Sequence, residues 1–167
     1  MNKGKELSKK LSYQRKNFWK EASQKEKKMA FDFAEDYKKF LDVCKTERES
    51  VEFFTKESKA NGFSEINKKK KSNTVYSISR NKNAAIAIIG KKPIFEGVNL
   101  IVSHIDAPRV DLKQNPLFED KTTKLGMMRT HYYGGIKKYQ WMSTPLALHG
   151  TIVKENGKVI KVSIGEN

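Results

Sequence analysis

Two different hydrophobic periods divide this chain. In its first third, Met29, Phe33, Tyr37, Phe40 and Leu41 recur three or four residues apart, the spacing that lines one face of a helix. Ser23 with Glu26 just ahead has the form of a capping box, in which two side chains satisfy free backbone N–H groups reciprocally. Thr46 with Glu49 repeats that signal. The second helix then carries Val51 and Phe54 and is expected to stop at Asn61-Gly62, where glycine accepts the left-handed turn. Both apolar stripes are assigned to core packing. Residues 1–22 are polar and weakly patterned apart from Phe18 and Trp19, and read as a basic arm or frayed helix.

Beyond a lysine run at 68–71 the period falls to that of strands. Residues 75–79, 84–89 and 98–103 read as three strands, the first two joined by a hairpin turn at 80–83. The second and third are nearly unbroken apolar runs, the pattern of strands covered on both faces. Near the end, 151–153 and 159–164 flank Asn156-Gly157, a dipeptide favoured where both central residues of a tight hairpin turn take positive φ. Helices packed on a mixed sheet, followed by a β-rich segment, make an α/β layered fold.

Composition narrows the function classes. At 167 residues and 37% hydrophobic the chain can bury one lean core. Its longest apolar run, 84–89, is far short of the roughly 20 residues that span a bilayer. No apolar segment follows the lysine-rich start, so a secretory signal is not expected and a cytoplasmic location is the default. Cys44 is the single cysteine, which excludes an internal disulfide and a thiolate zinc cage. The net charge is +15, and residues 1–28, with 10 basic and 3 acidic side chains, supply +7 of it. A basic surface attracts nucleic-acid phosphates. However, only five of the 34 basic residues are arginine, the side chain suited to reading bases. The charge is therefore read first as a solvated lysine-rich face.

The segment Leu100-Ile-Val-Ser-His-Ile-Asp106 carries the most chemistry. A buried strand delivering polar residues at its carboxyl end is how open α/β sheets build ligand sites. His104 and Asp106, two apart in extended chain, project to one side. A neutral imidazole is a good zinc ligand, and a neighbouring carboxylate fixes its tautomer. Taken alone, a His-x-Asp pair is also met as a histidine bonding a backbone carbonyl. His149, beside an expected strand, reads as structural. His131, with Tyr132, Tyr133 and Gly134-Gly135, reads as a loop open to close backbone approach.

The wording of the chain adds to this. The segments His104-Ile-Asp-Ala-Pro-Arg-Val-Asp-Leu-Lys113, Thr130-His-Tyr-Tyr-Gly-Gly-Ile-Lys-Lys-Tyr-Gln-Trp141 and Pro145-Leu-Ala-Leu-His-Gly150 resemble the M18 family of metallo-aminopeptidases, most of all its bacterial members. The family includes aspartyl aminopeptidases and the aminopeptidase I type. The resemblance extends backward, less specifically, through residues 31–97. It implies a di-zinc enzyme, with cobalt or manganese as alternative metals, that removes amino-terminal residues from peptides and assembles as a homo-oligomer. It carries His104 over as a metal ligand and Asp106 as the catalytic-site residue that steadies it. It divides the chain into a basic arm (1–22), the first part of a catalytic domain (23–106) and the start of an inserted, β-rich dimerisation domain (107–167), an incomplete fold. Ala107, where relatives often carry Ser, and Gln114, where Pro is common, are small departures. The family's bridging Asp, its adjacent Glu pair with the general base and its last Asp and His ligands have no counterpart here, so the isolated chain is expected to be inactive. Two alternatives follow in order: a non-catalytic paralogue acting by assembly with a partner, and a basic nucleic-acid-binding module.

Overall fold

The computed structural model describes residues 3–13, 15–68 and 72–166; most of the expected lysine run at 68–71 lies outside them. The chain forms two compact units, residues 1–42 and 43–167.

The first unit is helical. It holds α1 (Lys3–Leu11), the single turn α2 (Phe18–Glu21) and nearly all of α3 (Gln24–Val43). The expected Ser23–Glu26 box forms: the Ser23 N–H donates to the Glu26 carboxylate at 2.7 Å and the Glu26 N–H donates to Ser23 Oγ at 3.3 Å. The core assignment of the α3 stripe does not hold, because no residue of α3 is buried. A 20-residue helix is about 30 Å long, and two helices of 9 and 4 residues are too small to cover it. Within this unit Trp19 packs on Phe31, with ring centres 5.7 Å apart.

The second unit is built on α4 (Glu47–Ala60). Thr46 and Glu49 form the expected capping box, and the chain leaves the helix through Gly62 at φ 77°. Strands β1 (Ser64–Glu65), β2 (Thr74–Ser79) and β3 (Asn83–Ile88) form a mixed sheet in that order, β1 parallel and β3 antiparallel to β2. The β2–β3 turn falls at the expected place, with Arg80 and Asn81 both at positive φ. Helix α4 lies against β2 and β3. Val51, Ser50, Ser58 and Tyr76 are buried there, along with Cys44, which precedes the helix.

The two apolar runs depart from expectation. β3 is covered on one face at most, and Ile86 and Ile88 remain exposed. The run at 98–103 forms no strand: it pairs with none of the described strands, and Leu100, Ile101 and Val102 are each at least 80% exposed. Strand geometry needs a neighbouring ladder about 5 Å away, and β1, β2 and β3 offer this segment none.

The remainder is two antiparallel ribbons, β4 (Arg109–Glu119) with β5 (Gly126–Tyr133) and β6 (Leu148–Val153) with β7 (Val159–Ile164). In β4 the ladder breaks between Leu112 and Leu117, a stretch holding Pro116, which cannot donate to it. The β6–β7 turn differs from the expected two-residue form. Gly157 N–H donates to Lys154 C=O at 2.8 Å, and within the turn only Gly157 has positive φ (78°). This is a three-residue loop closed by a left-handed glycine.

Candidate functional site

The site begins with the anchoring of residues 104–106 on α4. Ser50, 1% exposed, donates its hydroxyl to the Ile105 carbonyl at 3.2 Å and to the Thr46 carbonyl at 3.1 Å. Because α4 starts at a satisfied cap, this gives the segment a fixed support despite its lack of a ladder.

On that support the two expected residues meet. His104 Nδ1 is 2.7 Å from Asp106 Oδ1 and 3.1 Å from the Asp106 carbonyl oxygen. An imidazole flanked by two acceptors at Nδ1 carries its proton there, which leaves Nε2 as the free electron-pair donor. The ring is 78% exposed, while Asp106 is 15% exposed.

Asp106 is in turn surrounded by donors and positive charge. Burial pushes its carboxyl up, but the Tyr133 hydroxyl, its own backbone, His104 and Arg109 together hold it below the usual aspartate range. Arg109 heads β4, with Nη1 3.5 Å from Asp106 Oδ2, Nε 2.7 Å from Asp111 Oδ1, and the guanidinium 4.1 Å over the Tyr133 ring. Burial lowers the Arg109 pKa, yet Asp111, Glu47 and Asp106 raise it on balance. Arg109 and Glu47 carry no site signal of their own in the sequence, and Tyr133, expected in a loop beside His131, lies on β5 opposite Arg109. The legible hint was Arg109-x-Asp111, two residues on one side of a strand; Glu47 and Tyr133 join only through tertiary structure.

The other histidines lie elsewhere. His131 lies on β5 rather than in a loop, opposite Asp111, with Nδ1 3.3 Å from the Tyr132 carbonyl oxygen. Only at Gly134, φ 75°, does the expected loop begin. His149 on β6 has a structural setting: Nδ1 is 3.0 Å from Glu49 Oε1, and Nε2 contacts the Glu166 carboxylate.

The sequence model of a family described as "Aminopeptidase I zinc metalloprotease (M18)" matches residues 40–167. The chain belongs to the M18 family. It is 43% identical over 159 residues to a probable M18 family aminopeptidase 1 of Clostridium acetobutylicum, covering 91% of this chain and 34% of that protein. Its fold matches aminopeptidase I of Borrelia burgdorferi B31 with a TM-score of 0.82 at 42% identity, covering 91% of this chain and 38% of that one. It also matches the yeast mApe1 dodecamer, with a TM-score of 0.69 at 26% identity over 81% of this chain and 34% of the other. This M18 chain thus spans about a third of the length of the curated relatives it matches.

Zinc belongs to the family description, so the donor set can be tested against it. His104 offers one ligand position with its orienting carboxylate in place. A catalytic zinc site takes three protein ligands plus an open water position, and among the described residues no group of three His, Cys, Asp or Glu side chains is placed to hold a metal ion. The residues present fit one corner of such a site and not a complete one.

Proposed function

We propose that this M18 chain supplies His104 as a metal ligand and Asp106 as its orienting carboxylate in an aminopeptidase that removes amino-terminal residues from peptides. The observation that carries this reading is the 2.7 Å His104–Asp106 contact within the segment matched to the family. Bound zinc, two ions in the complete site, would supply a water acidic enough to attack a peptide carbonyl near neutral pH. The work of this chain's residues is narrower. The Asp106 carbonyl oxygen accepts from Nδ1 and the Asp106 carboxylate lies beside the same nitrogen, so that Nε2 faces outward as the ligating atom.

Residues 23–106 are taken as the first part of the catalytic domain, with 107–167 opening an inserted dimerisation domain and 1–22 forming a basic arm. Two antiparallel ribbons in the third segment suit an interface element, and the dodecameric yeast neighbour supports homo-oligomeric assembly as the destination.

Replacing His104 with Ala in a complete protein carrying this chain is expected to abolish hydrolysis of an aminoacyl-nitroanilide and to lower bound zinc. Retained turnover would overturn the assignment. The isolated 167-residue chain with added zinc or cobalt is expected to show no turnover, because one imidazole does not hold catalytic zinc.

A second reading is favoured by the exposure of Leu100, Ile101 and Val102. In it the chain acts without catalysis, by assembling with a partner that covers this run. Co-purification with a longer M18 chain and slowed amide exchange at 98–103 would support it; an unpartnered chain with fast exchange there would count against it.

A further inference from the structure

We propose that Arg109 is a positioning residue that holds the Asp106 carboxylate against His104 and so ties the β4–β5 ribbon to the ligand position. The inference rests on the reading of His104 as a metal ligand.

The geometry has three parts. First, the two oxygens of Asp106 have separate partners: Oδ1 faces His104 Nδ1 at 2.7 Å, and Oδ2 faces Arg109 Nη1 at 3.5 Å. A carboxylate held from both ends cannot turn about its terminal torsion without losing one of them. Second, the guanidinium is itself fixed from three directions. Asp111 accepts from Nε, Glu47 Oε2 at the start of α4 lies 3.8 Å from Nη1, and the Tyr133 ring lies beneath at 4.1 Å. Third, Nη1 is buried with no hydrogen-bond partner, lying between the Asp106 and Glu47 carboxylates. A buried donor without a partner is costly. Its retention between two carboxylates is consistent with a charge placed for what it holds.

A lysine would keep the charge but lose the planar fork that reaches Asp111 and Asp106 at once. The ribbon contributes Arg109, Asp111 and Tyr133 to this arrangement, so displacement of β4 or β5 is transmitted to the His104 ring through Asp106.

The test reads the tautomer of His104 in the ¹⁵N-labelled chain by long-range ¹H–¹⁵N NMR, at a pH where the ring is neutral. Wild type is expected to hold the proton on Nδ1. In Arg109→Met, similar in length but uncharged, the Nδ1–H to Nε2–H ratio is expected to fall about threefold, the scale of losing an ion pair that makes no hydrogen bond. Arg109→Lys should fall between the two. The His149 ring, held by Glu49 and Glu166, reports in the same spectrum whether the fold persists. A wild-type His104 without the Nδ1–H form would sink the ligand reading, and this inference with it. A wild type with that form and a folded Arg109→Met that keeps it would overturn the positioning role alone. If Arg109→Met loses the His149 signature, Arg109→Lys decides: an unchanged ratio there overturns the proposal and a reduced one supports it.

Discussion

His149→Ala is expected to uncouple the β6–β7 ribbon from α4, and the size of the loss follows from three exposures. The imidazole side chain is 13% exposed, Glu49 28% and Glu166 47%. The His149–Glu49 contact at 3.0 Å is a largely covered, charge-assisted hydrogen bond, a class that contributes about 1.5–3 kcal/mol. Glu166 is nearly half exposed, so solvent screening reduces its share to about 0.2–1 kcal/mol. Together they stabilise the ribbon by about 2–4 kcal/mol when the ring is charged. The pH dependence has a definite sign. The Glu49 hydrogen bond, opposed by burial and aided by Glu166, raises the His149 pKa above its ordinary 6.5. This share of stability is therefore complete below 6.5 and lost as pH rises through the raised folded value. For Glu49, burial is outweighed by His149 and Thr46, and its pKa falls below its ordinary 4.5. Its share is complete above 4.5 and lost as pH falls through the lowered folded value. The clamp is closed between those limits. Urea unfolding and amide exchange of β6 and β7, followed upward from about pH 6 through the titration of the His149 ring, should show a wild-type loss that His149→Ala lacks. Equal pH slopes in the two proteins, or a cost below about 0.5 kcal/mol, would show that the clamp does not hold the ribbon.

Val51 is fully buried, and Val51→Ala removes two methyl groups from the α4–sheet contact. It should cost about 2 kcal/mol in chemical denaturation followed by tyrosine fluorescence. Thr46→Ala leaves Glu49 without its capping partner and should cost about 1 kcal/mol, with faster exchange confined to the first turn of α4. Gly157→Ala meets no atom within 4 Å, so its cost of about 1 kcal/mol should be conformational and appear as fraying of β6–β7.

Local signals were well read from the sequence. Both capping boxes form where Ser23–Glu26 and Thr46–Glu49 placed them, because each depends on residues three apart. The stop at Gly62 and the Arg80–Asn81 turn are equally local. The β4–β5 ribbon is not legible in the sequence because Lys113, Gln114, Asn115 and Pro116 interrupt the alternation that Val110 and Leu112 begin. The strand expected at 98–103 was read from apolarity alone, and apolarity supplies no hydrogen-bonding partner.

The family, the His104–Asp106 pair, the two capping boxes and the stop at Gly62 are legible in the sequence alone, since each rests on residues a few positions apart. The folded chain supplied what a one-dimensional pattern does not hold. It brought Glu49 to His149 across 100 residues and Ser50 to Ile105 across 55, and set Arg109 between Glu47 and Asp106. It also left the α3 stripe and the run at 98–103 uncovered. A hydrophobic pattern states which face should be buried, but burial requires a second surface, and only the three-dimensional arrangement shows whether that surface is present.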